Sequence, residues 1–461
     1  MLMLSRRLLV PAGLVLASLS GAHRQRARPP APLASPAPSC AAPSAAHPAP
    51  APDSPNWPDW LLREHRYVDL AGWMARADAR RDASPVTLAY LRGVLSNKQN
   101  QSLASIRALE PIVSRLDPVA DSARVVVALK TLADDYLKTY RYGDAANALD
   151  RLDRAYGSTM TPSDRADLRN DIEFRRALRS APPQGTTVSS AFTIPLHPDA
   201  LGLREVTVHV GHDSSGWIFD TGANLSTITD GMARRLGLHV ITTGAATKGI
   251  TGASVPNRVA VIPEMRFGNA RVRNAIAIVL PDSSLAIPQA HFQITAILGY
   301  PVLESLGRLA IGTDSLRVDS RAGEAPSDSS NVFLDNLAPL VAATVGDSTR
   351  LFHFDSGADA TMLTVRFCRA YTSLLTGLDT TSIKIGGAGG VQRYAGYRIP
   401  QVPVTIGGQR TELDSVFVMR DESRSPFESY FGNLSGNLAA RFGGYTIDFR
   451  AMTFRLGATL Q

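Results

Sequence analysis

Two short stretches of the chain have the residue types and spacing to do chemistry together. Trp217-Ile218-Phe219-Asp220-Thr221-Gly222-Ala223-Asn224 delivers a carboxylate, a hydroxyl, a glycine and a small residue at the end of an apolar run. Phe352-His353-Phe354-Asp355-Ser356-Gly357-Ala358-Asp359 does so again. Asp220 and Asp355 lie 135 residues apart. The same offset carries Val206, Val208, Val210 and Gly211 onto Val341, Ala343, Val345 and Gly346. It also carries Trp217 onto Phe352 and Thr229 onto Thr364, without a gap. A repeat of this length marks two copies of one structural unit. Two such strands can bring two carboxylates face to face across a pseudo-twofold axis. Carboxylates held that close cannot both ionise, so they share a proton and titrate as a pair. One can then serve as a general base while the other serves as a general acid.

The elements that must position these residues read as all-β. Alternating runs such as Val206/Val208/Val210, separated by Gly, Asp, Ser and Asn clusters, predict short strands. The expected units are a first β lobe over 186–320 and a second over 328–461, joined by the polar stretch Asp319 to Ser330. Each has about 130 residues, enough for one small core. Each triad is followed by a glycine-rich hairpin tip: Gly249, Ile250, Thr251 and Gly252 in the first, and Gly386, Gly387, Ala388, Gly389 and Gly390 in the second. These read as flaps over a bound substrate, with plain surface turns as the alternative. No Lys-Ser/Thr follows the second cluster, which excludes a phosphate loop.

The paired Asp-Thr/Ser-Gly sequences, each followed by alanine, resemble the retropepsin-like aspartic proteases. The resemblance runs from roughly Thr187 to Gln461. About 75 residues after the first triad, Ala296-Ile297-Leu298-Gly299 is similar to the family's apolar-apolar-glycine element, which packs beneath the catalytic loop. Leu434-Ser435-Gly436-Asn437 stands in the corresponding place of the second copy, with Ser435 departing from the apolar pattern. Both units close on similar segments, Ser315-Leu316-Arg317-Val318 and Thr453-Phe454-Arg455-Leu456.

The resemblance implies that Asp220 and Asp355 are the catalytic dyad, acting on a peptide bond through water, with no metal and no cofactor. It implies that Thr221 and Ser356 hydrogen-bond across to the opposite lobe, and that Gly222 and Gly357 let backbone approach the carboxylates. Ala223 and Ala358 stand where the pepsin branch carries a hydroxyl residue. Loss of that donor predicts a less acidic optimum than a pepsin-like enzyme's. The expected activity is that of an aspartic endopeptidase with both lobes supplied in cis, a monomer with an intramolecular pseudo-dimer. The alternative is a non-catalytic protein that holds a peptide in the protease fold. Pairing of each lobe with another molecule is disfavoured, because the tethered lobe is present at high effective concentration.

His353 shares a strand face with Asp355, but its repeat partner is Ile218, which makes it a core or near-core histidine. Upstream, 56–182 has helical periodicity, as in Leu103, Ile106, Leu109, Ile112 and Val113. Tyr142-Gly143-Asp144-Ala145-Ala146, followed by Ala148, Leu149 and Leu152, resembles a tetratricopeptide helix pair; a generic helical bundle is the alternative. The fold class expected is therefore multidomain, an all-α N-terminal domain followed by two all-β lobes. A protein partner on the helical domain is possible by analogy only.

Residues 1–22 read as a signal peptide: Arg6 and Arg7, then an apolar run Leu8 to Leu19, then Ser20-Gly21-Ala22. An uncleaved anchor is the alternative, and either places the protein in the periplasm or outside the cell. Residues 23–55 form an Ala/Pro-rich spacer that cannot bury a core. The net charge of +7 comes from scattered arginines without a dense basic block, which argues against nucleic acid. Of the two cysteines, Cys40 lies in the spacer and Cys368 among apolar residues, so no disulfide is expected; nor does any Cys/His cluster suggest zinc.

Overall fold

The computed structural model describes residues 16–17, 40–41, 49–52, 54–80, 83–248, 254–287, 291–319, 326, 329–387, 390–421 and 429–457. Seven helices come first: α1 (Trp57–Arg63), α2 (Tyr67–Arg80), α3 (Pro85–Lys98), α4 (Ser102–Leu109), α5 (Ser122–Lys138), α6 (Tyr142–Tyr156) and α7 (Pro162–Ala177). Helices adjacent in sequence pack together, with α5 against α6, α3 against α4 and α6 against α7 as the tightest pairs. Ser84 and Thr161 cap α3 and α7, each accepting a backbone N–H and followed by Pro at the first helical turn. No described helix is long and apolar enough to cross a membrane. Within the expected leader only Leu16–Ala17 are described, as a two-residue strand against Ile385–Gly386.

Beyond Gly185 the described chain is mostly strand, broken by short helices, and each lobe folds into one large sheet. Five central strands run in the same order in both. In the first lobe they are Ala270–Leu280, Ser226–Thr229, Ala296–Leu298, Asp213–Phe219 and Arg204–Val210. In the second they are Gln409–Met419, Met362–Leu363, Gly432–Ser435, Ser348–Asp355 and Ala338–Val345. Strand alternation does the sorting: Val206, Val208 and Val210 are buried while Thr207 and His209 face out. The strand carrying each aspartate lies parallel to its neighbour, Phe219 opposite Leu298 and Phe354 opposite Leu434.

The lobes are joined by a sheet to which both contribute. Phe192–Pro195, Ser315–Asp319 and Arg308–Ile311 come from the first lobe, Tyr445–Asp448 and Thr453–Leu456 from the second. The seam pairs Leu309 with Ile447 and Ala310 with Thr446. The similar closing segments noted in the sequence are thus strands of one sheet. A single apolar core runs through both lobes, from Val206 and Trp217 to Phe354 and Phe454.

The helical region is not a free appendage. Its core continues into the second lobe through Phe333, Leu340, Leu351 and Tyr430. Lys98 pairs with Asp335 at 3.2 Å, and Asn100 Nδ2 donates to Glu304 Oε1 at 2.9 Å. Helix α7 packs along Val240–Lys248, the strand leading to the first glycine-rich tip. Nothing in the helical periodicity had signalled this docking.

The expectation that no disulfide forms is overturned. Cys40 is bonded to Cys368, with Cα atoms 5.9 Å apart. The spacer reading had assumed that nothing holds residue 40 near a domain. In fact Ala41 is docked on the second lobe, its N–H donating to Arg420 O at 2.8 Å and its carbonyl accepting from Arg369 Nε. Cys368 is fully buried in the short helix Val365–Ala370, as its apolar surroundings suggested.

Candidate active site

Asp220 follows the strand Asp213–Phe219 and Asp355 ends the strand Ser348–Asp355; the two face each other at the lobe junction. Their carboxyl groups are within hydrogen-bonding reach. Each is closed off by the opposite lobe's glycine. A Cβ on Gly222 would stand 2.5 Å from Asp355 Cγ, and one on Gly357 would stand 2.6 Å from Asp220 Cγ. Any side chain there would displace a carboxylate.

The hydroxyls of the two triads lock the loops reciprocally. Thr221 N–H donates to Ser356 Oγ (2.9 Å), and Ser356 N–H donates to Thr221 Oγ1 (3.0 Å). Thr221 Oγ1 in turn donates to Phe354 O (3.2 Å), and Ser356 Oγ to Phe219 O (3.0 Å). Four bonds between lobes therefore fix the separation of the two carboxylates. The backbone also holds each carboxylate. Gly222 and Ala223 N–H both donate to Asp220 Oδ1, at 2.8 and 3.1 Å. Gly357 N–H donates to Asp355 Oδ1 at 3.0 Å. Ala358 N–H turns instead to the Asp355 main-chain carbonyl (3.3 Å).

Both carboxyls are held above the usual carboxylate range. For Asp220 the cause is burial first, then the charge of Asp355. For Asp355 burial is opposed by His353, by the Asp220 hydrogen bond and by Asn433. Both residues are buried, at 0% and 2% exposure.

Beneath the first loop, Gly299 N–H donates to Ser226 Oγ (3.1 Å). A Cβ there would lie 2.2 Å from the Leu225 carbonyl carbon, so only glycine fits. The second lobe corrects the correspondence read from sequence. Ser435 N–H donates to Thr361 Oγ1 (3.2 Å), and Asp355 pairs with Ser435 in the ladder. Ser435 therefore occupies the place of Gly299, and Gly436 sits one residue further on, beneath the Ser356 carbonyl. The departure from an apolar pattern then falls at Asn433, which matches Ile297, and not at Ser435.

Asn433 is a site residue that sequence reasoning missed. Its Nδ2 donates to Asp355 Oδ2 (3.3 Å), while His353 Nδ1 lies 2.7 Å from its Oδ1. The residue lies one position before the glycine element as first aligned. An alignment anchored on the ladder register would have placed it opposite His353. Asp220 Oδ2, by contrast, is buried, and no N–H or hydroxyl donor among the described residues reaches it.

Of the flap residues, Gly249, Ile250, Thr251 and Gly252 lie outside the described residues, as do Ala388 and Gly389. The flanking strands do form hairpins. Lys248 pairs with Ser254, and Gly386 and Gly387 pair with Val391 and Gly390. Among the described residues no group of three or more His, Cys, Asp or Glu could hold a metal.

Comparison with known proteins gives one family match. Residues 205–302 match the family model described as aspartyl protease. No curated protein matches the chain. Among solved structures, the chain is similar to a retropepsin-like aspartic protease from Rickettsia conorii, with 17% identity, 29% of this chain and 93% of that one covered, and a TM-score of 0.20. Basic 7S globulin from soybean is 9% identical, covering 59% of this chain and 97% of that one at a TM-score of 0.33. Conglutin gamma from lupine seeds is 10% identical, covering 57% and 92% at 0.30. The family match lies within the first lobe, its loop is repeated in the second, and the β region of this chain is retropepsin-like in fold.

Proposed function

We propose that the protein is an aspartic endopeptidase whose dyad, Asp220 and Asp355, is assembled in cis from the two tandem lobes. The observation that carries the reading is the reciprocal Thr221–Ser356 bonding, which holds two buried carboxyls within reach of each other. In the monoanionic dyad, the ionised carboxylate takes a proton from a water placed between the two groups. The water oxygen adds to the scissile carbonyl carbon. The carbonyl π pair moves to oxygen, which takes the proton of the other carboxylic acid. The proton now held by the first carboxyl passes to the amide nitrogen as the C–N bond breaks. One gem-diol hydroxyl returns its proton to the other carboxyl, which restores the starting dyad.

The substrate class this fits is a peptide or an unfolded protein segment. We further propose that residues 1–22 direct export. The Cys40–Cys368 bond supports an oxidising compartment such as the periplasm or the exterior. The test is cleavage of a diverse peptide mixture from pH 3 to 8, beside Asp220→Asn and Asp355→Asn and with pepstatin. Cleavage that survives either substitution removes the dyad assignment. The fold alone also fits a second reading, a protein that holds a peptide without cutting it. Peptide retention without hydrolysis by the folded wild type would establish that reading instead.

A further inference from the structure

The two lobes build the same loop on different floors. In the first lobe the strand pair beneath the aspartate places Ile218 opposite Ile297. In the second, the same ladder position places His353 opposite Asn433. All four side chains are buried, at 1%, 4%, 4% and 0% exposure. A polar pair has replaced an apolar one in a dry site, where an unsatisfied amide would be costly.

The amide is oriented by its neighbours. A carboxylate oxygen can only accept, so Asn433 presents Nδ2 to Asp355 Oδ2 and Oδ1 to His353. His353 Nδ1 must then carry the proton of the 2.7 Å bond. The chain reads His353 Nδ1–H to Asn433 Oδ1, then Asn433 Nδ2–H to Asp355 Oδ2. On its other side His353 meets Leu340, an apolar neighbour in the ladder. Asp355 lies two residues along its own strand, Asp220 faces it across the junction, and Tyr445, in hydrogen-bond contact with Ser356, is a further titratable group that feels both carboxyls. Among the described residues no such donor reaches Asp220 Oδ2.

We propose that Asn433, oriented by His353, is a positioning residue that breaks the symmetry of the dyad, making Asp355 the ionised member and Asp220 the acid. A hydrogen bond to the charged form of a carboxyl favours that form. Asp355 has donors on both oxygens, while Asp220 has them only on Oδ1. The proton of the monoanion therefore resides on Asp220, at the oxygen left without a donor. In the first step Asp355 takes the proton of water, and Asp220 gives its own to the substrate carbonyl oxygen. The electron bookkeeping is that of the hydrolysis above, with the two carboxyls now assigned. Asn433 also supplies from the floor what the alanine at 358 does not supply from the loop.

This inference rests on the dyad reading, and the test separates the two. Asn433→Leu removes the donor at nearly constant volume. His353→Ile with Asn433→Ile installs the apolar pair that the first lobe already packs in this register. In both, the monoanion forms less readily, so the acid limb of kcat/KM moves up by about one pH unit. We expect kcat to fall roughly tenfold while KM stays within about twofold, since neither residue meets the substrate. Circular dichroism and thermal melting check the fold of each variant.

A second readout needs no turnover: ¹³C NMR titration of labelled aspartate carboxyls, assigned with the two Asp→Asn variants. In the wild type Asp355 should ionise before Asp220, and the gap should close in Asn433→Leu. A folded double variant with an unmoved acid limb and an unchanged ionisation order overturns the proposal. A wild type that cleaves nothing, yet ionises Asp355 first only when Asn433 is present, defeats the protease reading and leaves the relay standing.

Discussion

The two lobes share a sequence pattern, a strand order and a loop geometry, but differ in what lies under the aspartate. The first loop rests on Ile218, Ile297 and a mandatory glycine, Gly299, whose missing Cβ makes room for the Leu225 backbone. The second rests on His353, Asn433 and Ser435, which keeps the backbone bond of Gly299 but has room for a side chain. What must be alike is the part that fixes distance: Thr221 with Ser356, and Gly222 with Gly357. What is free to differ sets the charge on each carboxyl. A duplicated unit can thus hold its geometry by symmetry and divide its chemistry by breaking symmetry one layer below.

The largest expected effect leaves that comparison intact. Asp220→Asn and Asp355→Asn should each lower kcat by roughly 10³-fold, since each removes one partner of the proton exchange. Peptide cleavage assays on the folded variants measure this. A variant retaining more than a tenth of wild-type activity would break the symmetry at the level of the dyad itself.

The next prediction concerns the supports. Gly299→Ala should cost about 3 kcal/mol or more, because its Cβ would lie within 2.2 to 2.5 Å of the Leu225 and Ser226 backbone, which cannot yield as a side chain could. Ser435→Gly should cost only about 1 kcal/mol, the entropy of a freer chain and a lost hydroxyl contact. Chemical denaturation of both variants gives the two numbers. Equal costs would mean that Ser435 is not the counterpart of Gly299.

How much of this was legible in the chain follows from the same residues. The dyad, its hydroxyls and its glycines stood in register at an offset of 135 because geometry constrains them in both copies. The β class followed from alternation, whereas the pairing of the matching end segments in one shared sheet was not read from the sequence. The floor of the second lobe was not legible, because a one-residue shift in a short strand re-aims every side chain and no sequence pattern fixed that register. Aligning on the glycine placed Gly436 where Ser435 belongs, and so hid Asn433. The Cys40–Cys368 bond was hidden for a different reason. It depends on the docking of Ala41, a tertiary contact that an Ala/Pro-rich composition does not encode.

That bond also divides the lobes. The repeat partner of Cys368 is Ala233, buried in the equivalent short helix of the first lobe with no tether. Replacing Cys40 by Ser should destabilise the protein by about 2–4 kcal/mol through the freed unfolded chain. The loss should be concentrated in the second lobe and the helical region beside it. Hydrogen exchange resolved by peptide would locate it. Uniform loss of protection across both lobes would show the tie to be a global clamp.

The smallest effect is the most discriminating, because it reads the dyad without substrate. Asp220 is held above its ordinary 3.8 by burial and by Asp355. An acid whose folded pKa is raised keeps its proton longer in the native state than in the unfolded chain. Its contribution is fully present below the unfolded pKa and is lost as pH rises toward the folded one. Neutral pH therefore penalises the native dyad, whereas acid does not. Asp220→Asn removes the penalty and relieves Asp355 of its charged neighbour. Its melting temperature should rise at pH 7 by roughly 2 °C, and the gain should vanish near pH 3. Asp355→Asn should gain less at pH 7, because His353 and Asn433 already offset the burial of that carboxylate, and their support is lost with the charge. Equal gains from the two substitutions would mean that the floor of the second lobe leaves the dyad symmetric, whatever its hydrogen bonds suggest. A larger gain from Asp355→Asn would reverse the assignment of acid and base.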